Sequence, residues 1–203
     1  MAEKKIIGIY GRGGQGALTA ARILANAFLL EKEDEIREGK LYILVTPHYG
    51  PERSGGPIKA VVEVSDKPIL DRSSRKKPTY FIIFDKNILR NEVLNDLKDN
   101  LQIDMVFLNC LDEERKEIIE FFTKNYPSIF KNNTGPEFLS VDASSYLDNI
   151  LNLNIAMLGY FIYETHLASF KNFQEALNEK IPHLKFDFAK LEFEKIKSYF
   201  LVV

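Results

Sequence analysis

Short runs of apolar residues alternate with helix-like stretches along most of the chain. The run "IIGIY" (6–10) is rich in β-branched residues and ends at glycine, which predicts a buried strand. Residues 17–30, "ALTAARILANAFLL", carry Ala and Leu at helical spacing. "EKEDEIREGK" reads as a charged surface turn, and "LYILV" (41–45) as the second strand. "TPHYGPERSGGP" (46–57) holds three prolines and three glycines, a composition that predicts a loop without regular structure. "IKAVVEV" (58–64) alternates as a third strand, so 41–64 reads as a local antiparallel hairpin. After the polar connector "SDKPILDRSSRKKP" come a strand ("TYFIIFD", 79–85), an amphipathic helix ("KNILRNEVLNDLKD") and a further strand ("DMVFLNC", 104–110). "DEERKEIIEFFTKNY" predicts another helix and "FLSVDAS" (138–144) the last strand. From about residue 147 onward the pattern is helical. The whole predicts one α/β domain over 1–203, Rossmann-like, with a mostly parallel sheet flanked by helices and a C-terminal helical segment.

Composition narrows the function classes. Hydrophobic residues make up 45% of the 203, enough to fill a core, and the net charge of −2 offers no global attraction for nucleic acid or anionic lipid. No apolar run approaches the ~20 residues that span a bilayer, and the N-terminus lacks the apolar core of a signal peptide. The one cysteine, Cys110, cannot form an internal disulfide, which fits a reducing cytoplasm. One thiolate cannot hold an iron–sulfur cluster either.

The candidate chemistry begins at "GRGGQG" (11–16), which follows a strand, opens a helix and fits G-x-G-x-x-G. Glycine allows positive φ and close approach of the backbone. The helix start offers unpaired N–H groups to an anion, and Arg12 adds a cation suited to phosphate or carboxylate. Tight strand–helix packing with no ligand would use the same residues. A dinucleotide site requires an acid at the end of the second strand, about 20 residues past the loop. That strand is followed by Thr46, Pro47 and His48, while Glu31, Glu33 and Asp34 lie earlier in a turn expected to face water. NAD or FAD binding is therefore the weaker reading.

The segment 48–57 offers Tyr49, Glu52 and Arg53 on a frame of Gly50, Pro51, Gly55 and Pro57. His48, Arg53 and Lys59 are expected to make it locally positive. Asp85 at a strand end is expected to cap the next helix. Cys110 is expected to be a buried core residue, and His48, His166 and His183 lack metal-ligand spacing. "DRSSRKKP" (71–78) reads as a solvated basic turn. Asn152 and Asn154 are expected to cap a helix break or face a subunit.

Taken together, "GRGGQGALTAARILA", "YGPERSGGPIKAVVEVSDKPI" and "NIAMLGYF" resemble the gamma subunit of 2-oxoacid:ferredoxin oxidoreductases, from residue 6 to about 181. The second motif looks more like pyruvate-type gamma chains than 2-oxoglutarate-type ones, with ketoisovalerate members also close. The resemblance implies one subunit of a complex, inactive alone, that decarboxylates a 2-oxoacid oxidatively. Electrons leave for ferredoxin or flavodoxin and the acyl group goes to coenzyme A. Thiamine diphosphate, Mg and iron–sulfur clusters are implied on partner subunits of alpha, beta and delta type, and no thiamine diphosphate signature of the G-D-G…N type occurs here. By matching motifs, Gly11, Arg12, Gly13, Gly14, Gln15 and Gly16 are implied to contact coenzyme A or an interface carboxylate. Tyr49, Gly50, Pro51, Glu52, Arg53, Gly55 and Pro57 are implied to form the subunit interface. No residue is assigned a catalytic role. Ser54 stands where arginine is often expected, which removes a dibasic clamp. Two other classes stay open on the residues alone: a dinucleotide-binding oxidoreductase and a purely structural subunit.

Overall fold

A computed structural model describes residues 4–49, 56–73, 76–89, 93–98, 100–130, 135–146 and 152–182. The six strands expected from the apolar runs all form. They are β1 (Lys5–Arg12), β2 (Tyr42–Tyr49), β3 (Pro57–Ser65), β4 (Tyr80–Ile83), β5 (Met105–Asn109) and β6 (Glu137–Val141). They make one sheet in the order β2-β3-β1-β4-β5-β6. β1, β4, β5 and β6 run parallel, and β3 runs antiparallel to both β1 and β2. The expected hairpin is therefore present, and β3 is the one strand pointing the other way.

The side-chain alternation of strands divides the core in two. Ile7, Ile9, Ala60, Val62, Ile82 and Phe107 face α1 (Ala17–Glu31), α5 (Leu153–Thr165) and α6 (Phe170–Lys180). α1 meets the sheet through Ala17, Ala20, Ala21 and Ala27, small enough to bring its backbone close. α5 is buried all round from Leu153 to Ile162, as an internal helix must be. Its Phe161 packs edge-on against Tyr80 and Phe107. The opposite face carries Tyr10, Phe81, Ile83, Val106 and Leu108. They pack under the short α3 (Leu94–Leu97) and α4 (Asp112–Asn125). The charged turn after α1 contains one short helix, α2 (Glu33–Arg37).

Three expectations need correction. The loop at 46–57 is shorter than its composition suggested, because the hairpin ladder runs on through His48↔Lys59 and Tyr49↔Ile58. Pro47 is tolerated since β2 is an edge strand, where a missing N–H donor need not break the ladder. The amphipathic helix expected after residue 85 does not open as an α-helix. It begins as one turn of 3-10 helix, Lys86–Ile88, in which Ile88 N–H donates to Asp85 C=O, and its described end is α3. The basic connector is not wholly solvated. Lys76 is buried and donates to Glu63, itself buried on β3, while Lys4 Nζ lies 2.8 Å from the same carboxylate. The last predicted helix, beyond 182, lies outside the described residues, as does His183.

Candidate functional site

The chain leaves β1, builds the outer strands β2 and β3 on one side, then crosses to β4, β5 and β6 on the other. The carboxyl ends of β1 and β4 thus form a topological switch point, where open α/β sheets collect ligands. A cleft of about 390 Å³ opens there, lined by Gln15, Asp85, Asn109, Glu114, Ser144 and Leu153 among others. Helices α1 and α5 both start at this cleft. Neither has a side-chain cap or an acidic residue in its first turn, so both present the positive end of the helix dipole.

The glycine loop is the tight turn between β1 and α1. Gln15 folds back, its Oε1 accepting the Arg12 N–H at 2.7 Å, while Gln15 N–H donates to Arg12 C=O at 3.0 Å. Gly14 has φ +95°, and a Cβ there would meet nothing within 4 Å. Gly16 has φ +75°, and its Cβ would stand 2.4 Å from Asn154 Nδ2. Asn154 is buried, with Nδ2 3.4 Å from Gly16 C=O and Oδ1 without a partner. It does not itself cap a break; buried, it joins the starts of α5 and α1. Gly13 N–H donates to Gly56 C=O at 2.9 Å. The described end of the second motif, Gly56 and Pro57, therefore meets the glycine loop.

Arg12 is paired within the chain. Its Nε donates to Asp85 Oδ2 at 2.6 Å, while Asp85 Oδ1 accepts Asn87 N–H at 2.8 Å, the capping role expected of it. Burial opposes the charge on Asp85. The Arg12 bond, the Asn87 N–H and the Arg12 charge outweigh it and hold the carboxyl below its ordinary range. Lys86 and Glu114 form a second pair on the cleft wall, and Glu114 also accepts Leu111 N–H at 3.1 Å. Asn109 fixes the floor. Its Nδ2 donates to Phe84 C=O at 3.0 Å and to Ser144 Oγ at 3.1 Å, and its Oδ1 accepts Ala143 N–H. Cys110 is buried as expected, and burial, then Glu114, push its thiol up to about 12, which disfavours the thiolate.

Of the residues expected at the interface, Tyr49 is exposed at 64% and Pro57 pairs in register with Arg12. Gly50, Pro51, Glu52, Arg53 and Gly55 lie outside the described residues. The expected positive character is not carried by the residues beside them. Lys59 Nζ is bonded to Asp96 at 2.8 Å. Burial, then the Lys59 charge, lowers the His48 pKa and favours its neutral form.

The dinucleotide reading also fails in space. The place beside β1 where an acid-bearing parallel strand would end is taken by antiparallel β3, starting at Pro57. Glu31 is exposed, as expected, and accepts from Ser169 N–H and Asn172 Nδ2 at the start of α6. Asp85 ends the parallel neighbour on the other flank but holds Arg12.

Residues 6–194 match the family model described as pyruvate ferredoxin/flavodoxin oxidoreductase. The chain belongs to this family. It is 34% identical to the pyruvate/ketoisovalerate oxidoreductases common subunit gamma of Thermococcus kodakarensis, over 85% of this chain and 84% of that one. The crystal structure of pyruvate oxidoreductase subunit PORC from Thermotoga maritima shares the fold. Its TM-score is 0.60 at 22% identity, over 93% of this chain and 89% of that one. A 2-oxoglutarate:ferredoxin oxidoreductase from Magnetococcus marinus, with 2-oxoglutarate, coenzyme A and succinyl-CoA bound, matches with TM-score 0.62 at 13% identity. That match covers 98% of this chain and 30% of the larger one. Family and relatives together make this a gamma-type subunit of a multi-subunit 2-oxoacid oxidoreductase. Among the described residues no helix of the gamma-type chain is long and apolar enough to cross a membrane, and no cluster of His, Cys, Asp and Glu could hold a metal.

Proposed function

We propose that this gamma-type subunit serves a pyruvate-type 2-oxoacid:ferredoxin oxidoreductase, with the glycine loop holding a phosphate-bearing part of coenzyme A. The hairpin tip around Tyr49 docks on the thiamine diphosphate subunit, and subunits of alpha, beta and delta type complete the complex. The observation that carries the coenzyme reading is Gly14. Its positive φ and the open space above it let a phosphate approach the backbone where any side chain would intrude. Arg12 and the uncapped start of α1 lie beside it, the chemistry an anionic group requires. When bound, coenzyme A supplies the thiol that takes the acyl group. Arg12 would orient its phosphate, and Gln15 would keep the turn closed by holding the Arg12 N–H. Coenzyme A and its succinyl form bound in the Magnetococcus relative make the same class of ligand reasonable here.

Two outcomes follow. In the reconstituted complex, Arg12→Ala should weaken coenzyme A binding about tenfold, the worth of one charge-assisted hydrogen bond. Unchanged affinity by calorimetric titration would remove the direct contact. The purified chain alone should show no coenzyme A-dependent oxidation of pyruvate with a redox dye. Turnover by this polypeptide without partners would overturn the subunit reading.

A further inference from the structure

Two cations stand at the cleft, Lys86 in its wall and Arg12 bonded to Asp85 of that wall, and each bonds a carboxylate of the same chain. Arg12 bonds Asp85 and Lys86 bonds Glu114. Both carboxylates are also fixed to backbone, through Asn87 N–H and Leu111 N–H respectively. The cations are the movable members. Their side chains are 44% and 37% exposed, on long flexible stems. A phosphate entering here meets the Asp85 and Glu114 carboxylates as long as both pairs stay closed.

We infer that the cleft takes its anion by exchange: a ligand phosphate displaces Asp85 from Arg12 and Glu114 from Lys86, so that these two carboxylates set the affinity. The inference rests on the coenzyme A reading above. Lys86–Glu114 is exposed on both sides and Arg12–Asp85 on the arginine side, so a phosphate carrying nearly two charges can compete for each cation. The carboxylates are affinity-setting residues that oppose the ligand, and their effect has the opposite sign to that of a contacting residue. Asn in place of Asp85 keeps the cap, since Asn and Asp cap equally well, but removes the charged partner of Arg12 Nε. Gln in place of Glu114 keeps an acceptor for Leu111 N–H and releases Lys86.

The test is titration of coenzyme A into the assembled oxidoreductase at low and high salt. Asp85→Asn should tighten binding about 2- to 5-fold and steepen its salt dependence. The gain should vanish when Arg12→Ala is added. Glu114→Gln gives the same reading through Lys86 and serves if the first variant fails to fold. Affinity unchanged or weakened in both single variants, with Arg12→Ala still weakening binding, would overturn the exchange and leave the coenzyme A reading standing. Affinity unaffected by any of them, Arg12→Ala included, would overturn both.

Discussion

Glu63→Ala should cost about 3–5 kcal/mol of folding stability, the penalty for breaking a buried ion pair from one side. Both Glu63 and Lys76 have side chains only 3% exposed, so the alanine variant leaves the Lys76 ammonium in the interior without its carboxylate. Lys4, half in water, loses a partner at little cost. Against a total near 5–15 kcal/mol for a domain, that loss is readily measured as a lowered urea midpoint of the purified chain. The double variant Glu63→Leu/Lys76→Met should recover most of it, because apolar side chains of similar volume replace a buried pair at nearly equal stability. A Glu63→Ala midpoint equal to that of the parent would show that Lys76 can reach water. The consequence reaches the cleft. Lys76 anchors the connector that feeds β4, where Pro78 packs on Gly8 and Thr79 N–H donates to Ile6 C=O. β4 in turn delivers Asp85 to Arg12.

That ion pair also marks how far the sequence can be read. The six strands were legible because each is a local apolar run, and local periodicity survives folding. The glycine loop and its helix were legible for the same reason. The pairs were not. Arg12 meets Asp85 across 73 positions, and Lys76 turns in toward a glutamate that alternation alone placed on a strand face. Composition misjudged two segments. Proline and glycine in 46–57 hid a ladder that antiparallel pairing extends to Tyr49 and Pro57. The residues Ile88, Leu89, Val93 and Leu97 are all buried, with the spacing of one helix face, yet the chain enters them through a 3-10 turn set by the Asp85 cap. Asn154 was visible as a polar residue in an apolar run. That signal marks an interior polar group, and it does not name what it meets.

Gly16→Ala and Gly14→Ala should separate the two roles that one motif combines. At Gly16 the backbone is left-handed, which costs an L-residue about 1–2 kcal/mol. The new Cβ would also stand 2.4 Å from Asn154 Nδ2, on a buried side chain with little room to withdraw. The expected loss is on the order of 2–4 kcal/mol, seen as a lower melting temperature, with α1 and α5 pushed apart at the cleft. At Gly14 the space is open, so Ala costs only the strain of positive φ, about 1 kcal/mol or slightly more. Its methyl group would project where a phosphate approaches the backbone, and coenzyme A binding by the assembled enzyme should fall by about tenfold or more. On these outcomes packing between α1 and α5 is the work of Gly16, and ligand approach that of Gly14. If Gly14→Ala leaves coenzyme A affinity intact while Gly16→Ala destabilises the chain, the loop serves packing alone, and the phosphate must be held elsewhere in the complex.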